Sequence, residues 1–227
     1  NINPVKYVAP VETNSVKQPS WNEKINESLS NIENNIKSQL FQELSSLINV
    51  INSYDGYLGE HSALVAQGSI LLSSEIGLGW KEIEKIAIAA LLHDIGYTAI
   101  PKWIFNKKEA LTSEERRIIQ LHPTIGCEYI LKNVSILQEY LPIIQNHHEF
   151  LDGSGYPKGK KGDQIPLGSQ IISIVDTYQA MKVSRPYRKA YTFEELVDHY
   201  IKNAGIKWDM ELITIFSAIM ADNEQSE

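Results

Sequence analysis

A chain of 227 residues with 43% hydrophobic content can bury the core of one substantial domain, and a formal charge of −7 argues against broad attraction to nucleic acid, which needs a surplus of Lys and Arg. The single cysteine, Cys127, excludes an internal disulfide and any paired-cysteine zinc site, and it suits a reducing, cytoplasmic setting. The longest apolar run, residues 86–92, falls far short of the roughly 20 residues that cross a bilayer, so a membrane tether is expected only outside this chain.

Pro4, Pro10 and Pro19 lie among Val, Thr, Asn and Ser and predict an extended lead. The chain does not begin with Met, so a regulatory part upstream is expected. Over residues 21–51, Ile25, Leu29, Ile32, Ile36, Leu40, Leu44, Leu47 and Ile51 recur at three- and four-residue steps, an amphipathic helix. Two uses compete for that stripe: packing on its own domain, which the Ser and Asn content favours, or a dimerising signal helix that would make a homodimer. The organisation expected is a linker and helix over 1–50 followed by one domain over 51–227.

A helix over 61–76 should stop at Gly77 and Gly79, and a second should run from about Trp80 into His93-Asp94. Thr112-Ser113-Glu114-Glu115 is a capping box expected to open the helix that carries His122, with Pro123 and Gly126 separating off a further short helix. Helical period returns over 136–148 and 167–182. The Gly- and Pro-rich residues 152–166 form the long loop between these helices, with room for a small hairpin. Thr192-Phe193-Glu194-Glu195 opens another helix near the end. Sustained strand alternation is absent, so the fold class is all-α, a helical bundle with a Gly/Pro-rich loop.

His61, His93, Asp94, His122, His147, His148 and Asp176 form a ligand set of imidazoles and carboxylates that uses five of the six histidines. Without thiolate it favours a borderline to hard ion such as iron or manganese, with zinc also open. Two ions sharing a bridge would use the whole set, and a carboxylate such as Asp94 can bridge. Taken alone, His61 or His122 is more often a packed or capping residue, and only the ensemble points to metal. His199, between Asp198 and Tyr200 on the last predicted amphipathic helix, is left out.

The order of these motifs resembles the HD-GYP phosphodiesterases, a bacterial branch of the HD superfamily associated with cyclic di-GMP. The resemblance runs over about 55–209 and rests on Asp55, Tyr57 and His61-Ser62, on His93-Asp94-Ile95-Gly96 with Ile100-Pro101, and on His122-Pro123 with Gly126. It continues with His147-His148-Glu149, Asp152-Gly153-Ser154-Gly155-Tyr156-Pro157, Ile165-Pro166-Leu167, Asp176 and Arg185-Pro186-Tyr187-Arg188-Lys189. It implies the HD fold and two metal ions, most readily iron. One ion would lie on His61, His93, Asp94 and Asp176, the other on Asp94, His122, His147 and His148. A hydroxide held between the ions would open a cyclic dinucleotide to its linear form. Arg185, Arg188 and Lys189 would bind the phosphates, and Tyr156 would shape the pocket.

The chain departs from the family pattern at named positions. Tyr97 stands where a lysine is usual and Gln179 where an aspartate is usual, both thought to face the reacting phosphate. These replacements touch the proton supplied to the leaving oxygen, and with Asp94 they make up the expected catalytic group. Tyr57 stands where one subset has a glutamate for a third metal, so two ions are expected. Met210 replaces a usual proline, which should affect only helix entry. Beside the enzyme reading stand two others: a degenerate receptor that binds cyclic dinucleotide and signals, and an interaction module whose Gly155-Tyr156-Pro157 loop contacts a cyclase.

Overall fold

The structure, a computed structural model, describes residues 38–184 and 189–224. Among these the chain is all-α, without a strand, and one isolated bridge joins Ala204 and Trp208. No described helix is long and apolar enough to cross a membrane.

Helix α1 (Ser38–Tyr54) turns Leu40, Leu44 and Ile51 into the core, so the described part of the N-terminal stripe packs on its own domain. The helix runs unbroken through the 50/51 position. Residues 21–37 of that stripe, with the lead before them, lie outside the described residues. Asp55 ends α1 and caps α2 (Gly56–Glu75), its Oδ1 accepting from the N–H groups of Tyr57 at 3.0 Å and Leu58 at 3.3 Å. Eleven of the twenty residues of α2 are buried, which makes it the central rod of the bundle.

Around α2 pack α3 (Trp80–Leu92) and α8 (Leu167–Lys182). A Cβ on Gly68 of α2 would stand 2.5 Å from Val175 Cγ1 of α8; only glycine lets the two backbones come this close. That approach sets His61 of α2 opposite Asp176. Trp208, Tyr200 and Phe216, from α9 (Phe193–Asn203), α10 (Met210–Glu224) and the turn between them, are all fully buried. They fix α8 from behind: Tyr200 Oη donates to Ile174 O at 2.6 Å and Trp208 Nε1 to Ser173 Oγ at 3.0 Å. Each such side chain contributes about 1.5–3 kcal/mol by burial, and the polar tips of Tyr200 and Trp208 are satisfied.

Several expected boundaries change for identifiable reasons. The capping box at Thr112 forms as expected, yet its helix α5 (Ser113–Ile119) ends before His122, which opens a separate short helix, α6 (His122–Ile125), followed by a wide turn over Gly126–Ile130. Pro123 has no N–H to give to Ile119 O, four residues back, and its ring crowds that carbonyl, so the helix breaks there. Pro142 does the same to the helix expected over 136–148. What forms is a 3₁₀ turn at Ser135–Leu137 and the short α7 (Leu141–Gln145), and both His147 and His148 follow α7.

No hairpin forms in the long loop; Gly162–Gln164 is a 3₁₀ turn, and the loop's first residues bond across to another loop, Leu151 N–H to Lys207 O and Asp152 N–H to Ile206 O, both at 3.0 Å. Met210 opens α10 exposed, with Asp209 Oδ1 accepting from Glu211 and Leu212 N–H, so the carboxylate supplies the entry in place of proline. Between α3 and α5 lie a 3₁₀ turn, Ile95–Ala99, and the short α4 (Lys102–Phe105).

Candidate metal centre

Three of the seven candidate histidines and aspartates share one local design. His93 follows the last turn of α3, His122 that of α5 and His147 that of α7, where carbonyls lack helical partners. Each Nδ1 meets the carbonyl three residues back: His93 to Ala90 O at 2.6 Å, His122 to Ile119 O at 2.8 Å, His147 to Ile144 O at 2.6 Å. A carbonyl only accepts, so Nδ1 carries the proton and Nε2 is turned to the interior as a ligand atom. The Ile119 carbonyl is the one that Pro123 left without an N–H, so the break in the helix supplies the anchor for His122.

The ring nitrogens converge on Asp94, itself buried. Its Oδ2 lies 3.2 Å from His93 Nε2 and 4.0 Å from His61 Nε2, and its Oδ1 lies 3.2 Å from His122 Nε2 and 3.9 Å from His147 Nε2. Two groups of donor atoms therefore gather, each within 4.8 Å: His61, His93 and Asp94 on one side, and Asp94, His122, His147 and His148 on the other. Asp176 stands just outside both and binds His61 Nε2 at 2.9 Å.

The site fits cations on its own chemistry. His93 Nε2 is buried without a hydrogen-bond partner. His122 Nε2 and His147 Nε2 face each other across 3.2 Å with both Nδ1 atoms turned to carbonyls, so a proton or a cation is needed between the two ring nitrogens.

Electrostatics divide the cluster. Burial opposes charge on His93, but Asp94 beside it outweighs burial and pushes the ring up to about 9. Burial likewise opposes the Asp94 charge, and His93 and His122 nonetheless hold this carboxyl well below its ordinary range. Asp176 is lowered against its burial by His61. Burial and His148 push His147 well down, and burial with His122 holds His148 down to about 3, so these two rings are neutral, the form that ligates metal.

The other expected residues divide. Tyr97 is half-buried with its ring stacked on His122, centroids 4.2 Å apart and planes 13° apart. Gln179 lies three residues beyond Asp176 on α8, on the same face, half-buried. Tyr156 lies against His148 at 4.6 Å and edge-on to His122 at 6.4 Å; burial, then Asp176 and Asp94, raise its hydroxyl, which stays protonated. A ring facing inward in this way is poorly placed as a hook for a cyclase. Tyr57 stacks on His61 at 6.2 Å. Lys189 is exposed, while Arg185 and Arg188 lie outside the described residues. His199 packs near Tyr200 and Trp208, away from the cluster.

Glu149 was missed. It is 1% exposed, and its two oxygens accept the N–H groups of Lys158 at 2.7 Å and Lys160 at 3.0 Å. With Tyr156 N–H donating to His148 O at 3.0 Å, this carboxylate closes the loop that lays Tyr156 on His148. The available signal was an acidic residue directly after the His pair and before a glycine-rich stretch full of unpaired N–H groups.

The profile of the HD domain family matches residues 45–212. The chain is 31% identical over 193 residues to the cyclic di-GMP phosphodiesterase response regulator RpfG of Xanthomonas campestris, covering 85% of this chain and 51% of that one. It is 36% identical over 155 residues to the 3'3'-cGAMP-specific phosphodiesterase 1 of Vibrio cholerae, covering 67% of this chain and 35% of that one. The chain thus spans about half or less of the length of these relatives. In fold it resembles Bd1817, described as an HDG"Y"P protein, of Bdellovibrio bacteriovorus, with TM-score 0.63 at 20% identity over 88% of this chain and 63% of that one. The matched span, the helical frame and the ordered His and Asp motifs agree: the chain belongs to the HD domain family, in its HD-GYP branch.

Proposed function

We propose that this domain is a metal-dependent phosphodiesterase that opens cyclic di-GMP, or a close cyclic dinucleotide, to its linear form. The observation that carries the reading is the pair of ligand groups sharing Asp94, one of which brings two imidazole nitrogens within 3.2 Å of each other. His61, His93, Asp94 and Asp176 would hold one ion, and Asp94, His122, His147 and His148 the other. The absence of thiolate favours iron, with manganese next. When bound, the ions acidify a water for attack and neutralise charge on the phosphoryl oxygens.

The chain's own groups do the rest. The carbonyl anchors on His93, His122 and His147 preorganise the rings, so little rearrangement is needed at reaction. Tyr156, kept protonated, is a hydrogen-bond donor at the rim of the cluster. Arg185, Arg188 and Lys189 are proposed to take the non-reacting phosphate, and the Gln179 amide to orient the reacting one. The names of the relatives support the substrate class, one acting on cyclic di-GMP and another on 3'3'-cGAMP. A reducing cytoplasmic setting agrees with buried Cys127 and with ferrous iron.

Tyr97 and Gln179 replace charged groups usual near the phosphate, so turnover should be about 100- to 1000-fold below that of a fully charged site. The same replacement favours a second reading, a receptor that binds cyclic dinucleotide without cutting it. Anaerobically metal-loaded protein incubated with cyclic di-GMP and 3'3'-cGAMP, with products separated by chromatography, decides between them. Slow appearance of linear dinucleotide supports the enzyme. Tight binding with both substrates intact after hours supports the receptor, and neither binding nor cleavage sinks both.

A further inference from the structure

We infer that Tyr97 is a positioning residue for the His122 ring, and that this chain has replaced a charge aimed at substrate by an aromatic wall behind one of its metal ligands. The inference rests on His122 being a ligand, as proposed above. His122 is pinned at its edge by Ile119 O and on its face by Tyr97, whose ring lies parallel to it at 4.2 Å. Phe105 backs Tyr97 at 5.1 Å, Tyr54 meets Phe105 at 5.9 Å, and Tyr54 Oη donates to Ile100 O at 2.8 Å. The wall is thereby anchored on the last residue of α1.

The backbone holds the wall in register with the cluster. Tyr97 N–H donates to Asp94 O at 3.0 Å, and a Cβ on the neighbouring Gly96 would overlap the His122 carbonyl, so the turn carrying Tyr97 lies directly against the start of α6. An imidazole that holds a cation gains positive character, which the face of a phenol ring favours and an ammonium opposes. A lysine at this position would add pull on a phosphate but remove the wall. Tyrosine makes the opposite exchange, towards secure loading and slower turnover.

Calorimetric titration of the metal-free chain with Mn(II) tests this, using Tyr97→Phe, Tyr97→Leu, Tyr97→Lys and Phe105→Leu, with circular dichroism and melting to establish folding. Phenylalanine should bind both ions within about twofold of the parent, whereas leucine should weaken one of the two by about 10- to 100-fold. Lysine should weaken the same ion while raising turnover at saturating metal, and Phe105→Leu should weaken it less. If Tyr97→Leu does not fold, the lysine and Phe105 variants decide. A folded leucine variant with both ions held as tightly as in the parent overturns the inference. So does a phenylalanine variant that falls as far as leucine, since the hydroxyl would then be responsible. A parent that binds no Mn(II) at all would instead remove the proposed function itself.

Discussion

The two halves of the cluster meet at Asp94 and are satisfied in different ways. On one side, His61 faces Asp176 at 2.9 Å and His93 lies 3.2 Å from Asp94, so each ring has a carboxylate beside it. On the other side, His147 and His148 are neutral, and the carboxylate grouped with their donor atoms is the shared Asp94. The frames differ too. His61 and Asp176 ride on helices of 20 and 16 residues, whereas His122 opens a helix of four and His147-His148 follow one of five. The first half is charged and carried on long helices; the second holds two neutral rings and depends on its buttresses, Tyr97, Tyr156 and the Glu149-clamped loop.

The largest effect should come from the residue common to both halves. Asp94→Asn should strip both ions, seen by elemental analysis, and lower turnover by about 1000-fold or more. A variant that keeps two ions would break the idea of a shared bridge.

Next come changes confined to one half. Asp176→Ala and His148→Ala should each leave one ion, but the first half, where His93 is raised to about 9, has more protons to release on taking metal. Loading of His148→Ala should therefore rise steeply with pH, and loading of Asp176→Ala should rise less. Equal slopes would erase the distinction between the halves.

Glu149→Gln should destabilise the protein by about 1.5–3 kcal/mol, because a neutral amide offers one acceptor where the carboxylate serves two backbone N–H groups. Urea denaturation of the metal-free form measures it, and an unchanged midpoint would show that the loop does not need its clamp.

A last effect is the pH response of the metal-free protein. His93 is raised to about 9 when folded, against about 6.5 unfolded, so its contribution is fully present below about 6.5 and lost as pH climbs through about 9. The melting temperature of metal-free protein should drop over that window, and bound metal should flatten the drop. A rise over the same window would contradict the assignment of a proton to the first half.

The sequence made much of this readable because the chemistry is concentrated in a few residue types. Histidine and aspartate at the ends of apolar helices announced a cluster, the two Thr-x-x-Glu boxes marked true helix starts, and Leu167–Lys182 was legible from its period. Pro123 marks a break in the sequence but not on which side His122 falls, and Pro142 is masked by a three- and four-residue apolar spacing that continues across it, while the missing N–H acts four residues back, on Ile119 and Gln138. Glu149 stayed hidden because a carboxylate after two histidines looks solvated until the loop that surrounds it is seen. Nothing in the identity of residue 97 told that its ring lies flat on His122, since that contact depends on where two separate turns meet.

The most direct measurement of the central claim is anomalous X-ray diffraction from crystals of the Mn(II)-loaded chain. Two peaks on either side of the Asp94 carboxylate, one among His61, His93 and Asp176 and one among His122, His147 and His148, are the expected result. A single peak away from Asp94, or none in protein shown to be folded and saturated with metal, would contradict it.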